Sequence, residues 1–197
     1  IVRYTLQHGY LPTIAPELKH ITIGGATVGI GIESAGVHHG FVHDGLIEVD
    51  VLLPSGEVVT ATATNHYKDL FAGLPNSYGT LGYVIRAKIQ LVKAKPVMEV
   101  TNKLYKTVPS YVKAIKAASE KKGIEFVEGL FYTKTELYLT TAKMVDNSKA
   151  PRINIYGTTP YYKQVRQEMT FCMPTLDYIF RYDPDWFWNV PETPGYK

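Results

Sequence analysis

Cysteine is nearly absent: Cys172 is the only one in 197 residues, which excludes an internal disulfide framework. No second Cys or His stands near it at zinc-ligand spacing, so no metal is expected and Cys172 reads as a small packed hydrophobe. No apolar run approaches the ~20 residues that a membrane-spanning helix needs, and the N-terminus lacks a basic stretch followed by an apolar one. Runs of like charge are missing as well. The net charge of +3 arises from 21 basic and 18 acidic residues scattered along the chain, which argues against nucleic acid as a partner. The first residue is Ile1 rather than Met. The chain therefore reads as a fragment or processed product, with any membrane attachment lying in regions outside it. Localisation and oligomeric state stay open.

What is present, 45% hydrophobic and 20% charged residues, suits a soluble globular chain with one domain or parts of two. Val2, Leu6 and Tyr10 recur at helical spacing and are stopped by Gly9 and Pro12. Between Ile21 and Gly45 seven glycines imply a loop-rich segment. Leu46 to Thr62 reads as a hairpin turned by Pro54-Ser55-Gly56, and Tyr67 to Leu74 as a short helix with Asn65 as its cap. Tyr83 to Val92 reads as a strand with Ile85, Ala87, Ile89 and Leu91 inward and Arg86, Lys88 and Gln90 outward.

The pattern restarts after Lys93-Ala94-Lys95-Pro96, which places a domain boundary near Lys95. Beyond it come a strand over 98–105, a helix from about Pro109 to Lys122 closed by Gly123, strands over 124–132 and 136–143, and a helix from Tyr161 to Met169. The tail from Tyr178, with Trp186, Phe187 and Trp188, reads as aromatic and irregular. The fold class is α+β.

The strongest chemical signal is the run Thr22, Ile23, Gly24, Gly25, Ala26, Thr27, Val28, Gly29, Ile30, Gly31, Ile32, Glu33, Ser34. Glycines at this density allow backbone N–H groups to converge on a phosphate. The spacing matches neither the Rossmann fingerprint nor a P-loop, and a plain turn between strands explains it equally well.

That run, together with Pro16-Glu17-Leu18, Asp69-Leu70-Phe71, Gly79-Thr80-Leu81-Gly82, Phe126-Val127-Glu128-Gly129-Leu130, Tyr161-Tyr162-Lys163 and Phe187-Trp188, resembles the vanillyl-alcohol oxidase and p-cresol methylhydroxylase (PCMH) superfamily of FAD-linked oxidoreductases. Within it, the chain is most similar to the Δ24-sterol reductase group. The resemblance implies that residues 1–95 are the C-terminal part of a PCMH-type FAD-binding domain and 96–197 the beginning of an α+β substrate, or cap, domain. It implies further that Thr22 to Ser34 runs along FAD, with Gly82 and Val84 close to it, and that the superfamily's first phosphate-binding loop lies upstream of Ile1.

On this reading the chain serves an FAD-dependent oxidoreductase acting on a small apolar substrate, sterol- or isoprenoid-like, with NADPH as the reductant if a double bond is reduced. The alternatives are an oxidase or dehydrogenase of an alcohol such as a polyprenyl-linked sugar, and a non-catalytic relative acting as a binding module.

Individual residues carry two readings each. Glu33 either orients the flavin or relays a proton, or is a carboxylate bonded to loop amides. His38 and His39 replace the small hydroxyl residues of the sterol reductases and are either acid–base or anion-binding groups, or solvent-facing; His43 is read in the same way. Glu128 either faces solvent or lines a substrate pocket. Tyr161 and Tyr162, with Tyr178 and Tyr182, suit a pocket for an apolar ligand with one polar end, or are ordinary packing. Arg181 either binds an acidic group of the substrate or forms a surface ion pair.

Overall fold

The computed structural model describes residues 1–157 and 159–185. Trp186, Phe187 and Trp188 fall outside them. The chain divides into two compact units, Ile1–Lys93 and Ala94–Lys197, and α-helices and antiparallel sheets occur in both.

In the first unit, helix α1 (Val2–Gln7) is followed by Gly9, whose φ of +76° turns the chain into strand β1 (Tyr10–Pro12). Two short helices, α2 (Ile23–Val28) and α3 (Gly36–His39), lie in the glycine-rich stretch. The hairpin follows as β2 (Leu46–Leu52) and β3 (Val58–Ala61), then α4 (Lys68–Gly73), β4 (Tyr83–Ile89) and β5 (Leu91–Lys93). The main sheet has the order β3-β2-β4, and β1 pairs with β5. Alternation on the hairpin buries Val49, Val51, Val59 and Ala61, which meet Leu74, Leu70 and Phe71 and close one core. Asn65 does not cap α4. Its side chain accepts from the N–H groups of Thr62 and Tyr67 and donates to the Thr60 carbonyl, so it builds the turn before the helix.

β4 departs from simple alternation. Asp50 pairs with Arg86, but Val51 pairs with Val84, leaving Ile85 as the extra residue of a bulge. The phase slips by one: Val84 and Ala87 join the core while Ile85 is exposed.

In the second unit, β6 (Val97–Tyr105) leads to helix α5 (Val108–Glu120), followed by β7 (Phe126–Thr133), β8 (Glu136–Val145), α6 (Tyr161–Gln164), β9 (Met169–Pro174) and α7 (Thr175–Ile179). Their sheet is antiparallel in the order β7-β8-β6-β9. Thr107 caps α5 by accepting from the Ser110 N–H. The helix ends at Lys121, and Gly123, at φ +83°, makes the turn after it rather than its C′ cap. Tyr111 and Ala118 of α5 cover Leu137 and Leu139 on one face. On the other face, Phe126 meets Tyr178 edge-on and Asn102 donates to the Val165 carbonyl.

The helix expected over Tyr161–Met169 is one turn long, because Met169 already belongs to β9. Its buried pair is Tyr161 and Val165, while Tyr162 is exposed. The outer edge of β9 is covered by the segment 150–153. There Cys172 donates its N–H to Pro151 and its thiol to Ala150, and accepts from the Ile153 N–H.

Candidate functional site

The first half of the glycine-rich run is a short helix, α2, and only its second half, from Gly29 to Ser34, is irregular. Thr22 is the N-cap of α2, with extended backbone and a hydroxyl that accepts from the Gly25 N–H at 3.1 Å. The N–H groups of Ala26, Gly29 and Gly31 donate to Thr22, Gly25 and Ala26 carbonyls. These three amides are therefore bonded inside the segment.

The glycines themselves sort into two kinds. At Gly24 a Cβ would sit 2.9 Å from the Val84 carbonyl oxygen, so glycine here lets α2 lie close against β4. Gly31 is similarly enclosed, with Val42 Cγ2 at 2.7 Å and Ala26 Cβ at 3.0 Å. Gly25 and Gly29, four residues apart and so on one helix face, are exposed. A Cβ at Gly25 would meet only its own capping Thr22 hydroxyl at 3.1 Å, and one at Gly29 only the Gly25 carbonyl at 2.9 Å. Gly25 and Gly29 thus leave backbone exposed on the outside of α2, and at Gly29 the end of the helix itself leaves no room for a Cβ.

One border of that exposed backbone is conformationally unusual. Ile30 has φ +56°, and Asn76 and Tyr78 have +61° and +50°, joined by Gly79 at +82° and Gly82 at +144°. The Tyr78 N–H donates to the Val28 carbonyl at 3.1 Å, tying this turn to the end of α2. At Gly82 a Cβ would stand 2.7 Å from both the Leu52 oxygen and Val51 Cγ1, so packing as well as φ requires glycine there.

Beyond α2, Glu33 is buried and its two carboxylate oxygens accept from the Ser34 hydroxyl and the Ala35 N–H, each at 2.6 Å. His38 and His39 are exposed on α3, with ring centroids 6.5 Å apart. His43 is more enclosed: it stacks on Phe41 at 5.4 Å and lies 4.0 Å from an Asp44 carboxylate oxygen.

In the second unit the candidates do come together, but inward. Glu128 turns away from solvent and its Oε2 accepts from Arg181 Nε at 3.3 Å and Nη2 at 3.1 Å. Its other oxygen accepts from the Tyr182 hydroxyl. Arg181 is fully buried, 4.2 Å from the Tyr178 ring centroid and 5.1 Å from that of Tyr182, which corrects the expectation of a surface ion pair. An acidic ligand would have to displace Glu128 to reach it. Burial, and then the Glu128 charge, push the Tyr182 phenol far above its ordinary pKa, so it remains a donor. Tyr161 is buried edge-on to Tyr182 at 5.2 Å, and Tyr162 stands at the surface. The Asp185 carboxylate accepts from both their backbone N–H groups, at 2.7 and 2.9 Å, and fixes the start of α6. Sequence spacing carries no signal for the Glu128–Tyr182 or Asp185–Tyr161 pairs, which are 54 and 24 residues apart.

Among the described residues, no group of three or more His, Cys, Asp or Glu is placed to hold a metal ion, and no helix is long and apolar enough to cross a membrane.

No protein-family model matches the chain. Individual proteins do. The Δ24-sterol reductase of Pisum sativum is 28% identical over 214 aligned residues, covering 96% of this chain and 37% of the relative. That of Arabidopsis thaliana is 30% identical over 208, again covering 96% and 37%. Cytokinin dehydrogenase 1 of Arabidopsis thaliana is 26% identical over 170, covering 84% of this chain and 29% of the relative. The chain spans a little over a third of the length of the sterol reductases it matches. Over most of its length the chain is thus similar to two kinds of oxidoreductase, the Δ24-sterol reductases and a cytokinin dehydrogenase, both of the FAD-binding, PCMH-type family.

Proposed function

We propose that the chain serves an FAD-dependent oxidoreductase acting on an apolar, sterol- or isoprenoid-like substrate. The first unit is the later part of its flavin-binding domain and the second the beginning of its substrate domain. The observation that carries the reading is the 28–30% identity to Δ24-sterol reductases across 96% of the chain. The exposed backbone of Gly25 and Gly29 supports it from the structure's side. When bound, FAD would supply the hydride chemistry, as flavins do.

The chain's own residues would hold and orient it. Thr22 fixes α2, Gly24 seats that helix on β4 beside Val84, and the Gly25–Gly29 face admits a flat ligand against the backbone. Glu33, bonded to Ser34 and Ala35, braces the loop that follows. The interior of the second unit, with Tyr161, Tyr182, Glu128 and Arg181 locked together, acts as scaffold for the substrate domain, leaving exposed Tyr162 as a candidate contact for an apolar ligand.

The absorbance spectrum of the native protein tests the cofactor; a colourless protein that stays colourless with added FAD would favour a binding module. Turnover of NADPH with a Δ24-unsaturated sterol, set beside an alcohol with an artificial electron acceptor, tests the reaction. The similarity to a cytokinin dehydrogenase keeps the second arm necessary.

A further inference from the structure

We infer that Tyr78 is an aromatic wall of the cofactor site, its phenol ring lying against a planar heteroaromatic ring of the bound FAD. The inference rests on the flavin reading above. Tyr78 has φ +50°, a region that a bulky side chain occupies only under constraint. Glycine would take that conformation without strain, yet the position carries a large aromatic ring that is 73% exposed and so stabilises no core. A residue that is costly for the backbone and idle in packing is where stored strain points to function.

Its placement says which function. The Tyr78 N–H is bonded to the Val28 carbonyl, one residue before Gly29, so the ring's anchor stands beside the exposed glycine backbone at the end of α2. Ile30, the other side of that corner, is held at φ +56°. Tyr83, 69% exposed, has its ring 3.9 Å from the position that a Cβ on Gly79 would take. The corner therefore combines bare backbone with aromatic surface, the combination that receives a flat π-system.

FAD carries two such rings, isoalloxazine and adenine, and the experiment separates them. In the native protein, Tyr78→Gly removes the ring while relieving the backbone. Thermal stability is expected to stay equal or rise, and FAD affinity to fall roughly tenfold, the effect typical of losing one aromatic stacking partner. Tyr78→Phe should retain affinity. If the ring faces isoalloxazine, Tyr78→Gly also raises the fluorescence yield of bound flavin, because an electron-rich phenol in contact quenches it, and FMN binding weakens in parallel. If it faces adenine, FMN binding and flavin fluorescence do not change. Either pattern supports the wall. Flavin bound by Tyr78→Gly with wild-type affinity and fluorescence would overturn the inference alone. A wild-type protein that binds no flavin would overturn the reading beneath it, and this inference with it.

Discussion

Neighbouring residues in α2 answer to opposite demands, and substitution separates them. Gly25→Val adds a side chain on the exposed face, where only the Thr22 hydroxyl is near. The protein is expected to stay folded and lose most of its flavin, read as the flavin-to-protein absorbance ratio. Gly24→Val drives a Cβ to 2.9 Å from the Val84 carbonyl, and should cost about 1–3 kcal/mol of stability by overpacking. Equal flavin content in folded Gly25→Val and wild type would refute the assignment of that face. In the second unit, Glu128→Gln weakens the ion pair with fully buried Arg181. A loss of about 3 kcal/mol in denaturant unfolding is expected, as when one partner of a buried pair is removed. The paired change Glu128→Leu with Arg181→Met should lose less, since it removes both charges together.

At the scale of elements, α5 and β7 meet at a point set by one missing side chain. A Cβ on Gly129 would collide with the Tyr111 hydroxyl, so Gly129→Ala is expected to destabilise by about 1–3 kcal/mol. Tyr111→Phe should recover part of that loss in a double-mutant cycle. Sequence patterns located most of these elements because alternation and helical spacing are local. The hairpin shows it, with Val49 and Val51 buried as the period of two requires. They misplaced what depends on pairing. The inward face of β4 slips at Ile85 because the bulge is defined by the register with β2, which lies 36 residues away at Asp50 and Arg86. They likewise merged Met169 into a helix, since Val165 and Met169 share helical spacing although the latter pairs with Asn102. In α2, glycine abundance signalled a loop, yet the Thr22 cap and the packing at Gly24 outweigh glycine's low helix propensity. The flavin role of the segment is what the resemblance implies; nothing in the sequence showed that the Ala26, Gly29 and Gly31 amides are bonded internally.

Across the whole molecule, charge links stability to acidity. Asp50 is held below its usual 3.8 by hydrogen bonds from Arg86 and Thr60, Glu99 below 4.5 by Ser148 and Lys143, and Glu136 below 4.5 by Arg166. A carboxyl group lowered in the folded state binds fewer protons there than when unfolded, so its contribution is present above the usual value and lost as pH falls through the folded one. Asp185, raised chiefly by burial, works in the other direction. The lowered Asp50, Glu99 and Glu136 predict a melting temperature that declines as pH drops below about 4. Flat stability from neutral pH down to pH 2 would contradict it.

The cover that segment 150–153 places over β9 makes the molecule report on its own opening. Cys172 is the chain's only thiol, buried and tethered to Ala150 through Sγ at 3.2 Å. A thiol reagent can reach it only after that edge has peeled away, so labelling becomes a clock for excursions of the second unit. With reclosing faster than capture, the labelling rate measures the population of the open form and not the chemistry of the sulfur. Glu99→Ala, which removes the carboxylate that holds Ser148 at 2.6 Å just before the segment, should speed labelling well before it moves the global melt.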